Sequence, residues 1–324
     1  MSALRSLVLP VMALALVTLP SVTSPAQELP AGDMRIVSAS AAGSGTDLVV
    51  RYFAEKLKPI AQRTILVENR PGASGNIATE FTARSKPDGL TVYLHTGTSL
   101  SANMHISKKP PVDVAKALQV VATTHQQPFM IVVHPDRPWR TLAELTAHLR
   151  EKGDKASYAV TATSGIVVGA LYKEDTGIHA VEVKYRTAQD SMNDLASGAL
   201  DYAVFDPQFV MGQVTNGKLR VLAISAGQRL RSEPSLPTMT EQGVKLDYNT
   251  WFATFVPSAT PRATVNLLNR WINQIVAQDE TRQFFNRLAS DPFTTTPDEG
   301  QAMLVRDVEA FGNYIRIAKI PQEG

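Results

Sequence analysis

The chain has 324 residues, of which 44% are hydrophobic and 19% charged, with a formal charge of +2. That length exceeds one average domain, so two lobes are expected, and the composition excludes a disordered or fibrous chain. The balanced charge without a long Lys/Arg run excludes a nucleic-acid surface; the absence of Cys excludes a disulfide scaffold, a thiolate metal site and a Cys nucleophile.

Arg5 precedes an apolar stretch over 7–19, and a polar segment then ends in Ser24-Pro25-Ala26. One positive charge, a short apolar core and small residues before the break make an export signal, with cleavage expected between Ala26 and Gln27. The apolar stretch is too short to span a bilayer comfortably, and no later stretch qualifies as a transmembrane helix. The expected compartment is a bacterial periplasm.

Residues 35–40 read as a buried strand. The loop after it, Ala41, Ala42, Gly43, Ser44 and Gly45, has side chains too small to shield its backbone. Thr46 and Asp47 read as N-caps of a helix in which Val49, Phe53 and Leu57 fall at helical spacing. Strand, stripped loop and helix together aim free N–H groups and a positive dipole end at one spot, which suits an anion.

A second strand, 64–68, meets Asn69-Arg70-Pro71-Gly72, where Pro then Gly suits a type II turn. A helix over 77–85 stops at Lys86-Pro87-Asp88-Gly89 and leads into a strand over 90–95. Residues 96–101, with Thr98 and Ser99, read as a small hydroxylated loop. Strands over 120–123 and 129–133 flank His125-Gln126-Gln127-Pro128, a polar stretch where the chain crosses between lobes. Thr141 and Glu144 have capping-box spacing at the head of a helix over 142–150.

The second lobe repeats the opening logic. A strand over 157–160 runs into Thr161, Ala162, Thr163, Ser164 and Gly165, then into a helix over 166–175 ended by Gly177. A strand over 181–185 precedes Arg186 and Thr187, and Thr187 with Asp190 has capping-box spacing. A strand over 199–205 ends on Asp206-Pro207; further strands are expected over 219–225 and 250–256. Helices over 264–278, 279–288 and 298–317 are expected to complete the first lobe. The resulting division is 1–26 as signal, 27–130 with 251–324 as lobe one, and 131–250 as lobe two. Strands alternating with helices argue for an α/β protein with mainly parallel sheets.

Catalytic and cofactor motifs fail. In Gly43-Ser44-Gly45 the third glycine of a dinucleotide fingerprint would fall on Leu48, and no P-loop is present. Gly-x-Ser-x-Gly is absent, and the six histidines never form His-Glu-x-x-His, so neither a nucleophile elbow nor zinc is expected. No cofactor or metal is expected. His125 is either a loop histidine or a ligand contact. Asp206 either caps the helix at Pro207 or hydrogen-bonds a ligand. Arg186 either faces a second carboxylate or is solvated. The reading is a non-catalytic, monomeric receptor for a small carboxylate. An exported hydrolase or lyase would need a nucleophile–base pair, which the sequence does not offer. A regulator's effector domain would lack the export signal.

Gly43-Ser-Gly-Thr-Asp47, Val67-Glu-Asn-Arg-Pro-Gly-Ala-Ser-Gly-Asn76, Pro87-Asp-Gly89 and Val183-Lys-Tyr-Arg186 occur in order, followed by Asn216-Gly-Lys-Leu-Arg220, Pro237-Thr238 and Trp251-Phe252. Together they resemble the Bug family, the periplasmic solute receptors of tripartite tricarboxylate transporters, over essentially the whole mature chain. The resemblance implies a two-lobed type II periplasmic binding fold that closes on an organic acid like a flytrap. Cargo then passes to a membrane permease or a sensor. It implies a carboxylate held between loop 41–47 and loop 161–165, with Thr98 and Ser99 lining the pocket and Asp206 at the family's aspartate position. The family's P-x-G-G-G-T-D opening is here Ala41-Ala42-Gly43-Ser44-Gly45-Thr46-Asp47, and its Y-K-G is Tyr185-Arg186-Thr187. Small hydrogen-bonding character is kept, while the distal end of the pocket diverges.

Overall fold

The computed structural model describes residues 29–322. The expected signal segment and its cleavage point lie outside the described residues. The chain runs β1 (Met34–Ser38), α1 (Gly45–Ala61), β2 (Ile65–Asn69), α2 (Asn76–Ala83), β3 (Thr91–Thr96), α3 (Gly97–Ile106), α4 (Val114–Ala117) and β4 (Leu118–Pro128). It continues through β5 (Met130–Val133), α5 (Leu142–Lys152), β6 (Ser157–Val160), α6 (Thr163–Thr176), β7 (Val181–Lys184), α7 (Met192–Ser197), β8 (Tyr202–Phe205), α8 (Pro207–Thr215) and β9 (Arg220–Ile224). It ends with β10 (Asn249–Pro257), α9 (Arg262–Val276), α10 (Asp279–Asn286), β11 (Asp291–Pro292) and α11 (Pro297–Ile317).

These strands form two sheets, the cores of two lobes. The six-stranded sheet has the order β11-β4-β10-β3-β1-β2, and the five-stranded sheet β7-β6-β8-β5-β9. Both are mixed rather than mainly parallel. The βαβ units give the parallel pairs β1–β2, β1–β3, β6–β7 and β6–β8. The strands that carry the chain between lobes, β4, β5 and β10, pair antiparallel with their neighbours. A crossover strand enters its sheet from the far side, so it runs against the βαβ units already there.

Helical spacing decides which faces are buried. Val49, Val50, Phe53 and Leu57 of α1 pack with Leu268 and Ile272 of α9 and Phe285 of α10 on one face of the first sheet. Burying each such side chain contributes about 1.5–3 kcal/mol. The other face packs Ala78 of α2, Leu100 of α3 and Leu304 of α11 around Tyr93, Val120 and Phe255. The second sheet buries α5 and α6 on one face and Leu195 of α7 and Val210 of α8 on the other. The end of α11 leaves the first lobe: Phe311 and Ile315 join the core of the second sheet, with Ala102 and Ile106 of α3. The C-terminal helices are expected to complete the first lobe; α11 packs there through Leu304 and also reaches the second core, because Leu304, Phe311 and Ile315 form one continuous helical stripe.

The crossings are tied together. β4 passes into β5 at Phe129, and the return enters β10 after Tyr248. Ser225, fully buried after β9, bonds to both. Its N–H donates to Phe129 O at 2.8 Å and its carbonyl accepts from Tyr248 N at 2.7 Å. Its hydroxyl accepts from Phe129 N at 2.8 Å and donates to Tyr248 O at 2.6 Å.

Candidate functional site

α1, α3, α6 and α8 each begin where a strand ends. Their N-termini are not equivalent. Ser44, not Thr46 or Asp47, caps α1, its hydroxyl accepting from Asp47 N at 3.2 Å. Asp47 stands inside the first turn, buried, and its carboxylate accepts from Gly43 N at 2.8 Å, Arg51 Nε at 2.8 Å and Asn69 Nδ2 at 2.7 Å. Burial opposes that charge, but the donors at Arg51, Asn69 and Gly43 outweigh it and hold the carboxyl below its ordinary range. Asp47 therefore braces the first loop from inside. Asp206 caps α8, accepting from Phe209 N at 3.1 Å, with Pro207 in the first turn. Burial pushes its carboxyl up against the backbone donors at Phe209 and Gln208. The positive ends of α1 and α8 are thus answered by their own chain.

α3 and α6 differ. Their N-caps, Thr96 and Ala162, make no side-chain capping bond, and neither first turn holds an acidic residue. Their leading N–H groups and dipole ends stay uncompensated. Ser99 on α3 and Thr161, Ala162, Thr163 and Ser164 at the head of α6 line a single cleft of about 390 Å³. Ser74, Ile106, Lys184 and Ile320 complete its wall. Lys184 Nζ lies 3.9 Å from Glu182, so its charge is only loosely paired.

Packing sets the two termini firmly. A Cβ on Gly97 would fall 2.1 Å from the Trp251 ring, so α3 starts flat against β10 only with glycine there. Trp251 N donates to Thr98 Oγ1 at 3.3 Å, and Trp251 Nε1 to Asp307 of α11 at 2.6 Å. On α6, a Cβ at Gly165 would lie 3.0 Å from Val204 O, and Tyr248 donates its hydroxyl to Ser164 Oγ at 3.0 Å.

The other expected site residues fall elsewhere. Ala41, Ala42 and Gly43 are exposed in the first loop, and Gly45 with Thr46 opens α1. Gly45 faces α8: a Cβ there would sit 3.6 Å from Gln208 Oε1, and Gln208 Nε2 donates to Gln127 Oε1 at 2.9 Å. Arg186 is exposed, and Thr187 is spent on a capping box with Asp190. His125 is on no loop. It lies within β4, fully buried, stacked between Phe252 at 4.2 Å and Phe285 at 4.4 Å. Burial drives its pKa down to about 3, which makes it a neutral core residue rather than a ligand contact. Residues 97–106, expected to begin as a loop, are helical from Gly97.

Ser74, Ile106, Lys184 and Ile320 carried no expectation as site residues. A signal existed only for Ser74. The run Pro71-Gly72-Ala73-Ser74-Gly75 cannot continue as helix or strand, and Ala73 and Ser74 take left-handed φ of 47° and 54°.

Comparison with known proteins agrees with this architecture. Residues 49–317 match the family model described as tripartite tricarboxylate transporter family receptor. The protein BugT of Bordetella pertussis is 25% identical over 295 residues, spanning 90% of each chain. A structure of the periplasmic binding protein BugD superposes with a TM-score of 0.75 at 25% identity, covering 90% of this chain and 99% of that one. Rpa4515 of R. palustris, solved with adipate, gives a TM-score of 0.79 at 23% identity over 90% and 98% of the two chains. The match extends across both sheets and the cleft between them, and the chain belongs to the tripartite tricarboxylate transporter receptor family.

Proposed function

We propose that this chain is an exported, non-catalytic receptor that grips the carboxylate of a small organic acid between the N-termini of α3 and α6. The observation that carries the reading is the contrast among helix ends. α1 and α8 are capped by Ser44 and Asp206, with Asp47 adding negative charge to α1. α3 and α6 are uncapped, face one cleft and have Lys184 beside them. Backbone N–H groups aligned with a helix dipole bind carboxylates without a charged side chain. Loop 41–46 borders the gap between lobes at α8 and meets the ligand on closure.

In this reading the lobes are 27–130 with 251–324, and 131–250, with α11 serving both. They close by a hinge at Phe129 and Tyr248. The signal ends at Ala26, placing the mature chain in the periplasm, where it hands cargo to a transporter's membrane permease. The adipate bound by Rpa4515 is consistent with an acid ligand, and the chemistry of this cleft is the argument for one here.

A thermal-shift screen of organic acids on mature protein tests the reading. At least one acid raises the melting temperature in proportion to the logarithm of its concentration and is recovered unchanged. Absence of any shift across mono-, di- and tricarboxylates contradicts it. Turnover of the bound acid contradicts the non-catalytic part.

A further inference from the structure

Beyond α11 the chain turns back toward the cleft. Lys319 N donates to Arg316 O at 3.3 Å and Ile320 N to Ile315 O at 3.1 Å, with Lys319 left-handed at φ 50°. These two bonds make a Schellman ending, in which the residue after the left-handed one packs back on the helix. Glycine is the usual left-handed residue there, and a lysine keeps that conformation only where its surroundings impose it. Two contacts do so. Ile320 is half-buried and packs against the core of the second sheet, which includes Ile315 and, near the head of α6, Ile166. Gln322 Nε2 donates to His105 O in the last turn of α3 at 3.2 Å. His105 is itself clasped to α11, its Nε2 donating to Val308 O at 2.6 Å, and a Cβ on Gly312 would lie 3.1 Å from its ring. Residues 319–322 thus form a strap, tied to α3 at one end and leaning on the second core at the other. Between these ties Ile320 lines the same cleft as Ser99, Thr161, Thr163 and Lys184.

We propose that Ile320 is a specificity-determining residue of this receptor: the strap sets it as an apolar stop beside the carboxylate site, so that the width of the group the carboxylate carries decides admission. The inference rests on the function proposed above and adds a residue that selects by shape rather than by charge. The N–H groups at the heads of α3 and α6, and the Lys184 ammonium, respond to negative charge and not to width. Ile320 is apolar, and its branched Cβ makes it stiff. Its place is set by a turn of backbone and not by either sheet. A slender acid lays its methylenes against that side chain, whereas a ring beside the carboxylate collides with it.

Calorimetric titration of the mature chain with butyrate, a slender acid, and cyclohexanecarboxylate, a wide one, tests this. The native chain binds butyrate the more tightly. Ile320→Ala weakens butyrate by about fourfold, the worth of one lost methylene contact, and tightens cyclohexanecarboxylate, so the preference between them falls by about tenfold. Lys319→Pro keeps the isoleucine but forbids the left-handed turn, because proline fixes φ at about −65°. It swings Ile320 off the cleft and moves the preference the same way. Both positions lie past Ile315, the last buried residue of α11, so both variants keep the fold. A native preference for the wider acid overturns the assignment, as does a preference that Ile320→Ala leaves unchanged. An equal loss for both acids, the mark of a purely packing role, overturns it too. Binding to the native chain separates the two claims: where butyrate binds and the preference does not move, Ile320 alone falls. Where neither acid binds, nor any acid of the thermal-shift screen, the carboxylate reading falls and takes this assignment with it.

Discussion

His125 shows how one residue's environment decides between two readings that its sequence position leaves open. Read as part of a polar stretch, it is a candidate ligand contact; sandwiched between Phe252 and Phe285, it is a neutral aromatic of the core. His95, buried against Tyr93, behaves alike, with its pKa lowered by burial to about 4. A histidine whose folded pKa lies below the ordinary 6.5 binds fewer protons folded than unfolded. Its contribution is therefore fully present above 6.5 and lost as pH falls toward the folded value, by about 1.4 kcal/mol per pH unit for each such group. Replacing His125 with Phe keeps the aromatic stack and removes one titration. Urea denaturation at pH steps below 6.5 should show a shallower acid loss for His125→Phe than for the native chain. An unchanged slope contradicts the burial argument.

Among elements, α3 carries most of what the sequence concealed. Gly97, Thr98, Ser99 and Ser101 are poor helix formers, and together they read as loop. Tertiary packing overrides the propensity: Gly97 lies flat on Trp251, Leu100 enters the first core, and Ala102 and Ile106 reach the second. β4 was obscured in the same way, since His125, Gln126 and Gln127 look like loop but pair with Thr250, Trp251 and Phe252 of β10. By contrast, elements with strong local signals were legible. Thr141 with Glu144 and Thr187 with Asp190 form capping boxes, and Gly177 ends α6 in left-handed geometry. The open head of α6 at 161–164, which lines the cleft, was legible because small residues follow a strand there. That α3, rather than α1, faces it depends on long-range packing that no local pattern encodes. Gly97→Ala tests this packing. Its Cβ has no room beside Trp251, so stability should fall by about 1–3 kcal/mol through overpacking, and ligand affinity should fall as the α3 terminus tilts. Chemical denaturation and calorimetry on one preparation check both, and native values for both exclude the proposed contact.

At the scale of the molecule, two lobes joined by narrow crossings form a hinge only if those crossings bend together. Ser225 provides the link, because its backbone and hydroxyl hold Phe129 and Tyr248 in one hydrogen-bonded unit. α11 adds a third attachment, with Leu304 in one core and Phe311 in the other. Ser225→Ala leaves Phe129 N without its acceptor in a fully buried place, so a loss of about 1–3 kcal/mol is expected. With the crossings uncoupled, small-angle scattering of the ligand-free variant should show a broader spread of lobe separations than the native chain. An identical scattering profile together with native stability would remove Ser225 from the hinge. In the proposed reading the receptor role would rest on this geometry: two sheets, a pivot coupled through Ser225, and the open ends of α3 and α6 facing one cleft.

The grip on a carboxylate by uncapped helix ends is the claim on which the rest depends, and Thr163→Pro isolates it. Ala162 already has the extended backbone, φ −131° and ψ 154°, that a following proline requires, and proline is well tolerated in the first helical position. The substitution therefore deletes one N–H at the head of α6 and little else. Calorimetric titration with an acid that binds the native chain should show affinity reduced by about ten- to a hundredfold, the worth of one hydrogen bond to a charged group, at an unchanged melting temperature. Native affinity in Thr163→Pro would contradict the account.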